Sequence, residues 1–181
     1  MEMAREEIKH IIIECIEELF TKDGCILEND VSERAITHKL AEYLQHRIPY
    51  LNVDCEYNRN ATEGIGEPKL LSWLKGQDRE NTNNPNLDED EKLSVSAYPD
   101  IIVHRRMINA DNLLVVEVKK RKSQVNHSWD HKKLAAFTEN SQQNSYHFQY
   151  GVFIILDTGP TWRNRKPDLV WFVEGQIDRN F

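Results

Sequence analysis

Residues 98–122 read YPDIIVHRRMINADNLLVVEVKKRK and hold two apolar runs separated by a polar turn. The runs cover residues 101–103 and 113–118, and the turn covers residues 109–112. Continuous apolar runs of this length are typical of strands that are buried on both faces. The segment therefore predicts an antiparallel hairpin inside a sheet.

Three charged side chains accompany this hairpin. Residues two apart on a strand share a face, so Glu117 and Lys119 project together, and Asp100 opens the neighbouring strand. Charges at the end of a largely apolar sheet carry a desolvation penalty. Two carboxylates on adjacent strands suit a hard cation such as Mg²⁺ or Mn²⁺. An ordinary ion pair between Glu117 and Lys119 is the alternative interpretation.

Outside the hairpin, helical and strand patterns follow one another. Apolar residues at three- and four-residue spacing predict helices over 4–20, about 30–48 and about 129–140. Alternating or continuous apolar residues predict further strands over 50–58, 151–156 and 168–174. The fold class that follows is α/β, a mixed central β-sheet flanked by helices, with α+β as the alternative. The length suits a single domain over 1–181, in which the polar, acidic residues 75–92 are predicted to form a flexible loop.

Glu33 has two interpretations. It lies on the face of the second predicted helix that carries Ile36 and Leu40, which turns its carboxylate toward the core. It also follows Asp30 at the spacing of a capping box. In the first case Glu33 is a further acidic ligand beside the hairpin, and the two cases are compatible.

Composition restricts the class of protein. The 181 residues carry a formal net charge of −7 and have a mean hydropathy of −0.67. This acidic total disfavours a general polyanion-binding protein. No apolar run approaches the roughly 20 residues of a membrane-spanning helix, and the acidic start lacks the features of a signal peptide. Three cysteines without C-x-x-C spacing are typical of reduced thiols, so we expect a cytoplasmic protein that does not enter membranes.

The charge is nevertheless uneven along the chain. Residues 101–133 contain eight Lys or Arg and three Asp or Glu, which is a local charge of +5. A basic region next to the hairpin carboxylates is typical of proteins that contact nucleic-acid phosphates. The candidate phosphate-binding residues are Arg105, Arg106, Lys120, Arg121 and Lys122.

Pro99-Asp100 followed by Glu117-Val118-Lys119 resembles the signature of the PD-(D/E)xK nuclease superfamily. The resemblance extends over residues 30–156 in the order of elements: a helix with Glu33, the hairpin, a helix and a further strand. It implies a restriction-endonuclease-like core that hydrolyses phosphodiester bonds in DNA by metal-activated water, with Mg²⁺ or Mn²⁺ as cofactor. It also implies that Asp100, Glu117 and Glu33 are metal ligands, and that Lys119 completes the catalytic set as the catalytic lysine. Many related enzymes are dimers, so the resemblance leaves a homodimer open.

Two other functions stay open beside the nuclease. Some superfamily members have lost catalysis, and the acidic loop would suit such a nuclease-like binding or assembly module. No base- or sugar-specific motif excludes a phosphodiesterase that acts on RNA or on a small nucleotide.

Three further patterns have a lower weight. One superfamily branch carries Q-x-x-x-Y on the helix after the lysine, and Gln142 and Tyr146 have that spacing near the predicted helix end. His127 and His131 are four residues apart, but a zinc site needs two more ligands, and His147 is the only nearby candidate in the sequence. Tryptophans at 129 and 162 are predicted to pack in the core rather than to stack on bases.

Overall fold

The structure is a computed structural model that describes residues 3–57, 98–123, 127–141 and 146–181. The predicted acidic loop, residues 75–92, lies outside them. The helices are α1 (Arg5–Lys22), α2 (Gly24–Glu28), α3 (Glu33–Arg47) and α4 (Ser128–Thr138). The strands are β1 (Asn52–Cys55), β2 (Ile101–His104), β3 (Leu114–Lys120), β4 (Tyr150–Leu156), β5 (Asp168–Val173) and β6 (Gln176–Asp178).

The six strands form one mixed sheet in the order β1-β2-β3-β4-β5-β6. β2 pairs antiparallel with both β1 and β3, so the predicted hairpin is confirmed. β3 and β4 are parallel, since α4 lies between them in the chain and provides the crossover. The α/β class and the mixed sheet flanked by helices are therefore as predicted.

Apolar side chains cover both faces of the sheet. On one face, α1, α2 and α3 pack against Val116 and Val118 of β3. On the other face, Phe137 of α4 packs in a cluster with Val115 and Phe153. This two-sided burial explains why the runs of the central strands are continuous rather than alternating. Within the described ranges, no helix has the length and hydropathy needed to cross a membrane.

The junction of α1 and α2 differs from the sequence pattern. The segment 22–24 predicts that Gly24 caps the end of α1, but Asp23 is the capping residue and Gly24 begins α2. Gly24 is buried, and a Cβ atom there would lie 2.8 Å from two ring carbons of Trp162. The close approach of this ring therefore accounts for the glycine.

Gly24→Ala is expected to lower the free energy of unfolding by about 1–3 kcal/mol, because the added methyl group overlaps a buried ring in a packed core. Urea denaturation followed by circular dichroism measures the change. The matched control repeats the substitution in a Trp162→Phe background, where the smaller ring leaves room for the methyl group. An equal loss of stability in both backgrounds would contradict this explanation.

The sequence pattern predicts a strand over 168–174 and misses β6. Glu174 and Gly175 have φ angles of 50° and 77°, and they connect Val173 to its partner Gln176. Positive φ at both central residues is characteristic of the tight turns that join antiparallel strands, and glycine adopts it without strain. The available signal is the Glu-Gly dipeptide directly after an apolar run.

Candidate active site

Asp100 directly precedes β2, and Glu117 of β3 lies one step beyond the last pair of the β2–β3 ladder. Ile101 pairs with Val116, and the next step of this register places Asp100 opposite Glu117. Residues that face each other across an antiparallel pair project from the same side of the sheet. Asp100 Oδ2 accepts a hydrogen bond of 2.7 Å from the backbone N–H of Val118, which orients the carboxylate. Burial raises the pKa of Asp100, and this hydrogen bond acts against the increase.

Glu117 is a fully buried carboxylate, with an exposed fraction of 0%. Its Oε1 atom lies 2.8 Å from Lys133 Nζ, and the same ammonium group lies 3.2 Å from Asp130 Oδ1. Neither carboxylate oxygen has a donor at good hydrogen-bond geometry within the described part of the chain. Burial, reinforced by the charge of Asp100, raises the pKa of Glu117 to about 8, although Lys133 acts in the opposite direction. A buried carboxylate with so few partners has the properties of a cation ligand.

Lys119 follows Glu117 on the same face of β3, where the strand leaves the core. Its side chain is 18% exposed, and its Nζ lies 3.6 Å from Glu33 Oε2. Burial acts to lower the pKa of Lys119, but the carboxylates of Asp100, Asp130, Glu33 and Glu117 outweigh burial and raise it. Lys119 is therefore a fixed positive charge at neutral pH.

Glu33 is the first residue of α3 and reaches the end of β3. Ser32 is the N-cap, since its hydroxyl accepts a hydrogen bond from the N–H of Ala35. The capping-box interpretation of Asp30 and Glu33 is therefore wrong. Glu33 Oε1 instead accepts a hydrogen bond of 3.1 Å from the backbone N–H of Lys120. The structure thus brings Glu33 to the hairpin, as its other interpretation predicts.

The three predicted metal ligands do not converge on one point. Among the described residues, no group of three or more His, Cys, Asp or Glu side chains could hold a metal ion. Asp100 and Glu117 face each other, whereas Glu33 contacts the end of β3 through Lys119 and Lys120. The metal-ligand role of Glu33 stays a prediction.

Asp130 and Lys133 on α4 are site residues that sequence reasoning misses. Their exposed fractions are only 5% and 7%. They share the buried side of α4 with Leu134 and Phe137. The available signal is this spacing, because charged residues at core positions of an amphipathic helix need a partner inside the protein. We define the charged cluster by its members: Asp100, Glu117, Lys119, Asp130 and Lys133, with Glu33 at its rim.

The five predicted phosphate-binding residues fall into two groups. Arg105 and Arg106 follow the end of β2 that is remote from Asp100, whereas 120–122 lie at the end of β3 beside Lys119. Lys122 is exposed and is the member without an ion pair inside the described ranges. The other four contact carboxylates: Arg105 binds Asp111 (2.7 Å), Arg106 binds Asp54 (2.8 Å), Lys120 binds Asp30 (3.0 Å) and Arg121 binds Asp157 (3.0 Å). Nearby acids therefore neutralise much of the local positive charge.

The tryptophans pack inside the protein, as predicted. Trp162 is buried, and its ring centroid lies 5.0 Å from that of Phe20. Trp129 is partly buried against the apolar cluster on the α4 side. The structure therefore does not support a role for these two rings in stacking on bases.

The histidine pair and the Q-x-x-x-Y match lie near the same helix. His127 and His131 both place their rings against Phe153, with centroid distances of 5.2 and 4.9 Å. Gln142 lies outside the described residues. Tyr146 is 2% exposed and belongs to the apolar cluster under α4, which gives it a packing role.

No protein-family model, curated protein or solved structure matches the chain. The fold and the charged cluster alone therefore define the class: an α/β protein with a buried carboxylate–lysine site at the end of its central strands.

Proposed function

We propose that the chain is a divalent-metal-dependent nuclease of the PD-(D/E)xK type that hydrolyses phosphodiester bonds in DNA. The observation that carries the proposal is the position of Asp100 opposite Glu117, with Lys119 on the same face of β3. The observed order of α3, the β2–β3 hairpin, α4 and β4 also agrees with the restriction-endonuclease-like core that the resemblance implies.

The two facing carboxylates fit a hard divalent cation. Asp100 and Glu117 offer oxygen ligands, and the Glu117 oxygens lack a well-oriented donor in the described structure. Mg²⁺ is commonly held by one or two protein carboxylates together with water and substrate phosphate, so a third protein ligand is not required. A bound ion would supply positive charge to the phosphoryl group and lower the pKa of a water molecule.

Lys119 is placed to stabilise charge on the substrate. Its ammonium group is fixed by the neighbouring carboxylates and lies at the open end of the charged cluster. A preorganised cation beside a phosphoryl group stabilises the negative charge that develops in the transition state. Glu33 binds both the Lys119 side chain and the Lys120 main chain, so it acts as a positioning residue in this arrangement.

A nucleic acid suits the surface next to the cluster. Residues 119–122 are four consecutive basic residues that follow Glu117 out of the core. Among them Lys122 is exposed, while Lys120 and Arg121 are held by acidic side chains. Phosphate contacts of this kind position a polyanion without reading its sequence.

Lys119→Ala is expected to slow DNA cleavage by about 10²–10³-fold, because it removes a preorganised charge from the site. The measurement uses plasmid, branched and single-stranded DNA with Mg²⁺ or Mn²⁺, and RNA substrates in parallel. Lys132→Ala is the matched control, since Lys132 is a partly exposed lysine on α4 outside the cluster. Equal cleavage by the wild type and Lys119→Ala would refute the catalytic assignment.

A non-catalytic binding module is the second candidate. It is favoured by the ion pair in which Lys133 already compensates Glu117, and by the pairing of four candidate phosphate-binding residues with acids. A wild-type protein that neither binds Mn²⁺ in calorimetry nor cleaves any of the nucleic acids above would exclude the nuclease and leave this alternative.

A further inference from the structure

Lys133 contacts the Glu117 carboxylate, which is the group that a bound cation would use as its ligand. Its Nζ is 2.8 Å from Glu117 Oε1 and 3.2 Å from Asp130 Oδ1, so one ammonium group bridges two carboxylates. All three side chains are at least nine-tenths buried. Bulk water therefore screens the charges of these three side chains only weakly.

The contact between Lys133 and Glu117 differs from that of an optimised structural ion pair. Buried pairs that stabilise a fold usually satisfy the remaining hydrogen-bonding capacity of both partners. The Glu117 carboxylate leaves both oxygens without a well-oriented donor in the described residues. Lys133 thus contacts Oε1 at 2.8 Å, while Oε2 has no donor among the described residues and is available to another ligand.

We propose that Lys133 is a resident counterion that a divalent cation displaces from Glu117, and that Asp130 retains the displaced ammonium group. This inference rests on the proposed metal site at Asp100 and Glu117. Like charges a few ångströms apart in a buried site repel strongly, so the ammonium group and the metal ion cannot share the Glu117 carboxylate without a large penalty.

Asp130 makes the exchange feasible inside the protein. Lys133 has a flexible four-carbon stem, and Asp130 Oδ1 is already within ion-pair distance of its Nζ. The ammonium group can therefore leave Glu117 without becoming an uncompensated buried charge. Asp130 lies three residues before Lys133 on α4, so the contact between Lys133 and Glu117 can break without a movement of the backbone.

The test compares the Mn²⁺ affinity of wild type and Lys133→Met by calorimetry, with melting curves in EDTA and in Mn²⁺ as a second measurement. Lys133→Met is expected to bind Mn²⁺ at least about tenfold more tightly, because the competing charge is removed. Lys132→Met, on the same helix, is the matched control and should keep the wild-type affinity. If Lys133→Met does not fold, Lys133→Gln retains a donor for Glu117 and takes its place.

A second variant, Asp130→Asn, tests the role of Asp130 as the acceptor of the displaced ammonium group. Without its acceptor, Lys133 stays on Glu117, so we expect weaker Mn²⁺ binding in the wild-type background and a smaller loss in the Lys133→Met background. Equal losses in the two backgrounds would show that Asp130 acts on the metal ion directly and would overturn the exchange.

The outcomes separate this inference from the proposed function. Wild-type Mn²⁺ binding that is lost in Asp100→Asn establishes the metal site, and an unchanged or weaker affinity of folded Lys133→Met then overturns the exchange alone. Binding by Lys133→Met but not by the wild type would show that Lys133 blocks the site, and it would overturn both the displacement and a metal-dependent activity of the native chain. Absence of Mn²⁺ binding in every variant overturns both proposals.

Discussion

Asp100→Asn is expected to reduce DNA cleavage by at least about 10³-fold while the fold is retained. The amide oxygen of asparagine can still accept the hydrogen bond from the backbone N–H of Val118, so the start of β2 keeps its anchor. The substitution removes one of two charged ligands from the proposed metal site. The ion's electrostatic contribution to catalysis is worth several kcal/mol, and each 1.4 kcal/mol corresponds to about tenfold in rate.

Cleavage rates and calorimetric Mn²⁺ affinity measure this effect together. The affinity should fall at least about tenfold, since an anionic ligand becomes neutral. Asp111→Asn is the matched control, because Asp111 pairs with Arg105 at the other end of the hairpin. A wild-type affinity in Asp100→Asn would place any bound metal elsewhere and would favour the non-catalytic module.

The free energy of unfolding is expected to fall by several kcal/mol as the pH rises from about 5 to about 8, and Glu117→Gln should remove most of this loss. Burial raises the pKa of Glu117 from its ordinary 4.5 to about 8. Between these values the metal-free folded protein keeps a proton that the unfolded chain has released, and a cation that bound to Glu117 would displace this proton. The folded state then binds more protons than the unfolded state, so stability decreases with increasing pH over this range.

Urea titrations of the wild type and Glu117→Gln at several pH values test this expectation without added metal. His131 contributes with the opposite sign, because burial lowers its pKa, but this contribution is common to both proteins and cancels in the difference. Glu42→Gln is the control: the pKa of exposed Glu42 is lowered by Lys39, so its contribution lies below pH 4.5. Parallel pH profiles for the wild type and Glu117→Gln would contradict the burial of an ionisable Glu117.

The hairpin and its facing acids are predictable because they depend on short-range rules. Strand periodicity places Glu117 and Lys119 on one face, and the antiparallel register between consecutive strands brings Asp100 opposite Glu117. The two-sided burial of β2 and β3 follows in the same way from their continuous apolar runs. These features need only the pattern within residues 98–122.

The partners of the charged residues are not predictable from such patterns. Lys133 reaches Glu117 because α4 packs over β3 with one particular rotation, which depends on the whole apolar cluster beneath it. Arg106 binds Asp54, which lies on a strand 52 residues earlier in the chain. Local charge counts cannot include such distant acids, so the +5 segment appears more basic in the sequence than on the folded surface.

The contact between Glu33 and the N–H of Lys120 joins residues 87 positions apart, whereas the contact between Asp100 and Val118 spans only 18. Closing a longer loop costs more chain entropy, and distant contacts form later in folding than neighbouring strand pairs. The facing carboxylates are therefore expected to assemble first, as part of a local hairpin. Glu33 reaches the N–H of Lys120 only when α3 docks on the sheet, so this contact is expected to form after the hairpin.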